Sequence, residues 1–313
     1  SSEPFRGNPA AVCLLEHAPG KPGGWPLTDE ELLQISAENN LSETAFVVPR
    51  EPRADHDDAK AHAHAIADVF QHSDAFNLRW FTPTTEVDLC GHATLAAAAV
   101  LLKECGNQSP ALRFDTLSGE LVASAQPDST IELDFPTNAP APLDAAERAV
   151  VEPLVRCVRL PSPGFAVENV LYSARTKKLV VVVSPDAGRH EYLEALPGLD
   201  VAKNLQSVDQ ATDPAFSALQ VKGVIVTMQD ASNEYDFVSR YFAPWVGIDE
   251  DPVTGSAHTV ISPMWAEVMG RDTLRARQCS PRGGDLDLTV DWAQGRLQIR
   301  GDAFVCIKGA LHF

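Results

Sequence analysis

The sequence DLCGHATLAAAAVLL, residues 88–102, gives the first structural expectation for this chain. It begins with small residues of the kind found at helix starts and continues with an apolar run, which predicts a buried helix. A second stretch, TGSAH at residues 254–258, opens another apolar run in the same way. The two stretches are either unrelated helix starts or the matching parts of two similar halves. In the second case their free N–H groups and positive helix ends would form a carboxylate site.

Around these stretches, short runs rich in Val, Leu and Phe alternate with Ala-rich segments, which indicates an α/β or mixed α+β architecture. A helix is predicted over residues 28–39, because Thr28 and Glu31 have the spacing of a capping box and Asn39 and Asn40 suit a C-terminal cap. Strands are predicted at residues 10–15, 44–48, 78–81, 131–135, 179–183, 224–227, 236–242 and 296–300.

The composition excludes several classes of protein. With 313 residues, 44% of them hydrophobic, the chain can bury a full core in one large or two ordinary domains, so disorder is excluded as its main state. The 43 acidic residues outnumber the 25 basic ones, which argues against a nucleic-acid partner, because phosphate backbones are bound by clustered cations. The longest aliphatic run, residues 95–102, falls short of the roughly 20 residues that cross a bilayer, so no membrane association is predicted.

The cysteines and the first residues bear on the cellular compartment. Six cysteines lie far apart without a C-x-x-C pair, which favours a reducing environment. The opening sequence SSEPFRGNPA lacks the basic start and apolar run of a secretory signal. We therefore expect a cytoplasmic protein.

Two segments differ in composition from the rest of the chain. Residues 136–142, PTNAPAP, contain X-Pro steps that resist helices and sheet ladders, so a domain change is predicted near them. Residues 51–76 are rich in Asp, His and Ala, which predicts an enlarged hairpin loop outside the core. The loop contains histidines that resemble zinc or nickel ligands but lack a compact metal-binding spacing, so no metal site is predicted. These histidines are His56, His62, His64 and His72.

Glu43 is the first candidate for chemistry, because it lies between the predicted helix and an apolar strand. Partial burial there would raise the pKa of its carboxyl and make it a general acid/base near neutral pH. The alternative is a solvated Glu that caps a turn, which is the more common situation for this residue type.

Asp251 lies in the sequence DEDPVTGS, at the start of the second predicted helix. It could orient a proton transfer while Ser256 and the amides that follow hold a ligand carboxylate. The acidic run could equally be an N-terminal turn stabilised by the helix dipole, and the two interpretations are compatible.

His92 and Cys90 flank Gly91 at the first predicted helix start. The positive helix end disfavours an imidazolium, so His92 is expected to be neutral and able to exchange hydrogen bonds with a substrate. A buried histidine satisfied by the backbone is the alternative. Cys90 could be a thiolate base or simply a small buried apolar residue.

Common enzyme signatures are missing from the sequence. It contains no G-x-G-x-x-G turn, no G-x-x-x-x-G-K-[ST] loop, no G-x-S-x-G elbow and no H-E-x-x-H helix. Dehydrogenase, kinase, hydrolase and zinc-protease functions are therefore disfavoured together, and acid/base chemistry without a cofactor remains.

Several sequence blocks follow one another in the order typical of one family and span nearly the whole chain. They are PFRGNPAAVC (4–13), NNLSETAF (39–46), RWFTP (79–83), DLCGHAT (88–94), FDTLSG (114–119), DFVSR (236–240), EDPVTGSA (250–257) and SPRGG (280–284). In these blocks the chain closely resembles the phenazine-biosynthesis PhzF-like proteins, relatives of diaminopimelate epimerase.

The resemblance implies an α+β fold with two similar domains, each a curved, barrel-like β-sheet around a central α-helix, and an active site in the cleft between them. The expected domains are residues 1–128 with 301–313, and residues 129–300. The resemblance also implies a homodimer. Glu43 matches the family's proton-transfer carboxylate, with His92 and Asp251 as its catalytic partners. The positions expected to hold substrate are Ser42, Gly91, Thr254, Gly255 and Ser256.

The function implied is a cofactor-independent isomerase that moves a proton between carbons of a small carboxylate-bearing metabolite. Two alternatives stay open: an amino-acid or hydroxy-acid epimerase or racemase that uses Glu43 and Cys90 as its bases, and a non-catalytic small-molecule-binding protein of the same fold. Diaminopimelate epimerases use two cysteines, but the second region here reads DPVTG without a thiol. A two-thiol mechanism is therefore disfavoured.

Overall fold

The computed structural model describes residues 3–50, 68–158, 166–184, 193, 196–232 and 234–312. The chain divides into two compact units, one made of Ser1–Asp134 with Arg300–Phe313 and the other of Phe135–Ile299. The sequence analysis placed its divisions after residues 128 and 300. Most of the His-rich segment, residues 51–67, lies outside the described residues.

The first unit is an open sheet with a buried helix. Its strands follow the order β1-β2-β3-β5-β6-β7, with parallel pairs β1–β2 and β3–β5 and with β4 paired to β3. Helix α2 packs against β1, β2 and β6 and is followed by a π-helical turn. The elements are β1 (Ala10–Leu14), α1 (Asp29–Asn39), β2 (Glu43–Pro49), β3 (Ala75–Phe81), β4 (Glu86–Val87), α2 (Gly91–Ala99), β5 (Ala111–Thr116), β6 (Gly119–Ala125) and β7 (Ile131–Pro136).

The second unit has the same plan. Its strands follow the order β8-β9-β10-β11-β12-β13-β14-β15, and helix α7 packs against β13 and β14. The elements are β8 (Ala141–Pro142), α3 (Ala145–Val150), α4 (Glu152–Cys157), β9 (Val167–Ser173), β10 (Lys178–Val183), α5 (Gly198–Ser207), α6 (Pro214–Leu219), β11 (Gly223–Gln229), β12 (Phe237–Phe242), α7 (Gly255–Met269), β13 (Thr273–Gln278), β14 (Gly284–Asp291) and β15 (Arg296–Gly301).

The two buried helices start alike, and their residue types explain why. Neither N-cap residue, Cys90 in α2 or Thr254 in α7, caps its helix with its side chain. In each case the side chain four residues later donates to the N-cap carbonyl: Thr94 Oγ1 at 2.7 Å in α2 and His258 Nδ1 at 2.8 Å in α7. The apolar faces that follow are buried, so tertiary packing stabilises both helices. The predicted helix starts are confirmed.

The mixed α+β class is confirmed, and each predicted strand corresponds to a strand of the structure. Helix α1 has the predicted capping box on Thr28 and ends at Asn40 in the left-handed conformation. The prediction omitted the two-residue strands β4 and β8 and the longer strands β5, β6, β9, β13 and β14. In β5, β6, β13 and β14, buried apolar residues alternate with more exposed polar ones, as in GDLDLTVD of β14. These strands therefore lack the continuous apolar run on which the prediction relied.

In the described part of the chain, every helix is too short or too polar to cross a membrane.

Candidate active site

Two neighbouring elements of the first unit place Glu43 and His92. Glu43 is the first residue of β2, where its backbone pairs with Ala10 of β1, and His92 is the second residue of α2. Because α2 packs on β1 and β2, the start of the helix lies against the start of the strand. Glu43 is only 7% exposed, so the structure places it in a buried environment and not on a solvated turn.

The side chains at this junction form a chain of close contacts. Glu43 Oε2 lies 3.0 Å from His92 Nε2. The other ring nitrogen, Nδ1, lies 3.1 Å from Asn8 Nδ2 and 3.5 Å from Cys90 Sγ. Ser42 Oγ donates to Asn8 Oδ1 at 3.2 Å. Four of the residues selected from the sequence are thus brought together with Asn8.

Two buried atoms in this group keep unused hydrogen-bonding capacity. Although Glu43 Oε2 and His92 Nε2 are close, neither has a hydrogen-bond partner of acceptable geometry. A buried acceptor without a hydrogen bond costs roughly 1–3 kcal/mol, so native proteins rarely retain one without a reason. The two atoms therefore meet at ion-pair distance without an aligned hydrogen bond.

The ionisation of the cluster follows from burial and from its neighbours. Burial raises the pKa of the Cys90 thiol, although the His92 ring opposes this, so the sulfur is a neutral thiol at neutral pH. Burial disfavours a charged ring at His92, but Cys90 and the Glu43 carboxylate outweigh it and hold the pKa of the ring well above its usual value. The helix-dipole argument predicted a neutral ring; the contacting side chains decide its charge instead.

The second unit holds the remaining predicted residues in a separate network. Thr254 Oγ1 donates to Asp251 Oδ2 at 2.6 Å. Gln278, at the end of β13, accepts from the Thr254 backbone N–H at 2.9 Å and donates to the Asp251 carbonyl at 2.6 Å. Gly255 and Ser256 form the first turn of α7. Gln278 therefore fixes the entry of the chain into α7 and, through Thr254, the orientation of the Asp251 carboxylate.

Lys178 adds an unusual charge to this network. It is buried at the start of β10, with its Nζ 5.6 Å from the centre of the Tyr241 ring. Burial lowers the pKa of Lys178 to about 8, partly offset by Asp251. The same burial, with the Asp251 carboxylate, raises the pKa of Tyr241. Asp251 thus lies in a buried surrounding that includes a cation.

The sequence analysis missed three of these residues. Asn8 belongs to a family block, but nothing in its local sequence shows that it contacts a histidine far along the chain. Gln278 and Lys178 end and begin ordinary strands, and only the tertiary fold brings them to Asp251. Of the three, Asn8 has the clearest signal of a role at the site, because it is a polar residue within the family block PFRGNPAAVC.

The same fold class occurs in a crystal structure of a PhzF-family phenazine biosynthesis protein from Enterococcus faecalis. That structure matches with a TM-score of 0.74 and 31% sequence identity, over 100% of this chain and 96% of that chain. The class defined by the fold is the diaminopimelate epimerase-like class, and the predicted fold class is confirmed.

The family follows from sequence comparison. The model of the family described as phenazine biosynthesis-like protein matches residues 1–309. A mouse protein, phenazine biosynthesis-like domain-containing protein 1, is 42% identical over 98% of this chain and 94% of its own length. The chain therefore belongs to the phenazine biosynthesis-like family. An uncharacterized isomerase of Pseudomonas aeruginosa is 38% identical over 100% of this chain and 95% of its own length. The predicted enzyme class, isomerase, is confirmed.

Proposed function

We propose that this isomerase moves a proton between carbons of a small carboxylate-bearing molecule, with Glu43 as the general acid/base. The observation that carries the proposal is the buried Glu43 carboxylate, 7% exposed, whose Oε2 lies 3.0 Å from His92 Nε2. A buried carboxylate beside a titratable ring can act as the base that takes a proton from an activated C–H. Moving a proton between carbons is redox-neutral, so the proposed reaction needs no electron carrier.

His92 is the proposed partner of Glu43. Its ring is held by Asn8 and Cys90 on the Nδ1 side, which leaves Nε2 directed to the carboxylate. A ring in this position can hold the carboxylate in one orientation and stabilise negative charge on the substrate as the proton leaves.

The start of each buried helix is the proposed carboxylate-binding element. The first turns at Gly91 and at Gly255 have no side-chain cap, so their backbone N–H groups can donate to an anion at the positive end of the helix dipole. We also assign Ser42, Thr254 and Ser256 to substrate binding. Asp251 is the further proposed catalytic group.

The geometry favours proton relocation over inversion by Glu43 and Cys90. Two opposed bases each approach the carbon to about 3–3.5 Å, which places them about 6–7 Å apart with the substrate between them. Here the donor atoms of Glu43, Cys90 and His92 lie within 4.8 Å of one another. A neutral buried thiol is also a poor base.

The test is solvent exchange of substrate hydrogens. The protein is incubated in D₂O with a panel of small unsaturated, amino and hydroxy carboxylic acids, and deuterium entry is followed by NMR. For any acid that exchanges, Glu43→Gln should reduce the rate by about 10²–10⁴-fold, the usual contribution of a general base. Glu38→Gln, on the exposed side of α1, is the matched control and should leave the rate unchanged.

Three results separate the alternatives. Full exchange by Glu43→Gln would show that Glu43 is not the base. Deuterium entry with inversion at one centre, lost in Cys90→Ser, would instead establish the two-base epimerase. Binding of an acid by calorimetry, without exchange of its hydrogens, would favour a non-catalytic binding protein.

A further inference from the structure

Lys178, the first residue of β10, is a charged side chain in a buried position. It is 7% exposed. Across the residues that the structure describes, its Nζ makes no hydrogen bond and no ion pair. A buried ammonium in this condition lowers stability, so proteins seldom keep one unless it binds a ligand or takes part in chemistry.

The neighbouring strands fix the position of the ammonium. Lys178 pairs with Gly223 of β11, and the Tyr241 ring lies against that glycine, so a Cβ at position 223 would clash with the ring. Lys178 Nζ lies 5.6 Å from the centre of the same ring, within the range of a cation–π contact. The glycine therefore provides the space in which the tyrosine carries the lysine head.

Tyr241 also connects Lys178 to the start of α7. The Tyr241 carbonyl accepts a hydrogen bond from the Asp251 backbone N–H at 3.0 Å. The Asp251 carboxylate accepts in turn from Thr254, the N-cap residue of α7. Asp251 is close enough to raise the pKa of Lys178 and of Tyr241 by its charge. Lys178 therefore borders the group of residues in the second unit that we assign to substrate binding.

We propose that Lys178 binds the carboxylate of the substrate, next to Asp251 and the first turn of α7. This assignment rests on the proposed function, because it concerns the acid on which that function acts. An ammonium can donate three hydrogen bonds, and a bond between two charged groups is stronger than a neutral one. The backbone N–H groups at the start of α7, which no side chain caps, can donate to the same anion.

The site makes binding depend on pH. The titratable groups that face Lys178 are Asp251, Lys222 and Tyr241. Burial lowers the pKa of Lys178 to about 8, whereas burial raises the pKa of Tyr241. Only the protonated amine is a counter-ion for a carboxylate, so an acid should bind more weakly as the pH rises through 8. For one linked proton, the loss of affinity between pH 7 and pH 9.5 reaches about 30-fold.

The experiment measures the binding of acetate and of succinate to the full chain, at constant ionic strength set with NaCl. The affinity is obtained from the proton signals of each acid by saturation-transfer NMR, at pH 7 and at pH 9.5. In parallel, the lysines are labelled with ¹³C at Cε and titrated with and without acid. The resonance that Lys178→Met removes should titrate near pH 8, and a bound acid should raise its midpoint.

The parent should bind at least one of the two acids, and more tightly at pH 7 than at pH 9.5. Lys178→Met should bind that acid about 10- to 100-fold more weakly at pH 7, the usual effect of losing a hydrogen bond to a charged group. Its remaining affinity should be the same at the two pH values. Lys203→Met, an exposed lysine of α5, is the matched control and should bind like the parent.

Failure of this site and failure of the proposed reaction give different results. The Lys178 site is overturned if neither acid binds the parent, if the parent binds equally at both pH values, or if Lys178→Met binds like the parent. None of these measurements involves hydrogen exchange in D₂O, which tests Glu43 separately. Circular dichroism verifies that each variant is folded, and the pH dependence of the parent tests the site without any variant.

Discussion

Glu43 at the start of β2 and His92 at the start of α2 are polar residues whose burial has a cost in stability. Glu43 and His92 are buried with unsatisfied atoms, and such atoms lower stability unless something binds to them. On the other side of the ring, Asn8 Nδ2 lies at hydrogen-bond distance from His92 Nδ1, and Ser42 Oγ donates to Asn8 Oδ1. The group therefore contains buried polar atoms that do not contribute a well-aligned hydrogen bond to the stability of the free protein.

Lys178, in the second unit, is another buried polar residue with a cost in stability, and this cost can be tested. Its folded pKa of about 8 lies below the ordinary value of 10.5, so the unfolded chain binds more protons between these values. The buried charge of Lys178 therefore destabilises the fold by its full amount below pH 8, and this effect disappears as the pH rises through 10.5. Lys178→Met should therefore raise the free energy of unfolding at pH 7 by about 1–3 kcal/mol.

Urea unfolding of parent and Lys178→Met, at pH 7 and at pH 10, measures this difference, which should shrink at the higher pH. Lys203→Met replaces an exposed lysine of α5 and should change stability little at either pH. A loss of stability in Lys178→Met at pH 7 would show that the Asp251 interaction outweighs the burial cost.

The sequence was sufficient to select the candidate residues. It was not sufficient to predict which of them contact one another. Glu43, Cys90, Gly91 and His92 stand in recognisable blocks, and the structure brings them together. The contact of Asn8 with His92 depends on the β1–β2 pairing and on the packing of α2 against that pair. These are long-range features, and no local pattern encodes them.

At the scale of elements, helix α7 contains a buried histidine that makes stability depend on pH. His258 is fully buried, its Nδ1–H donates to the Thr254 carbonyl, and its Nε2 has no partner. Burial lowers its pKa from 6.5 to about 4. Between these pH values His258 is protonated in the unfolded chain but neutral in the folded chain. The free energy of unfolding therefore decreases as the pH falls below 6.5.

His258→Asn should remove this dependence, because its amide can donate to the same carbonyl but does not titrate. Between pH 7 and pH 5, the parent should lose about 2 kcal/mol more of its free energy of unfolding than the variant. Urea titrations at the two pH values measure the difference. His72→Asn, which changes a histidine in an exposed contact with Asp68, should behave like the parent. Equal losses in parent and His258→Asn would contradict the assignment.

Elements were predictable where one signal dominates. The capping box of α1 and the apolar runs of β2 and β10 are strong signals within short stretches of sequence, and they correctly predict these three elements. Strands such as β5 and β14 are half-buried, and their charged residues conceal the period-two alternation from a search for apolar runs. Pairing order and register depend on contacts between distant segments, and local sequence patterns do not encode such contacts.

At the scale of the whole molecule, the formal net charge of -18 predicts that salt stabilises the fold. Like charges repel more strongly in the compact state than in the unfolded chain. Surface ion pairs such as Arg79–Asp29 oppose this effect, but exposed pairs contribute little, so the repulsion dominates. Raising the salt concentration from 0.01 to 0.1 M shortens the Debye length from about 30 to about 10 Å. The salt therefore screens the repulsion among the excess negative charges.

The midpoint of thermal unfolding at pH 7.5 should therefore rise by about 2–4 °C for each kcal/mol of repulsion that salt removes. The control is the same comparison near pH 4.8, the isoelectric point of the sequence, where the excess charge is absent and the rise should vanish. NaCl is suitable because sulfate would also strengthen apolar burial. A midpoint that falls with NaCl at pH 7.5 would show that attractive pairs, and not the net charge, dominate the electrostatics of the folded chain.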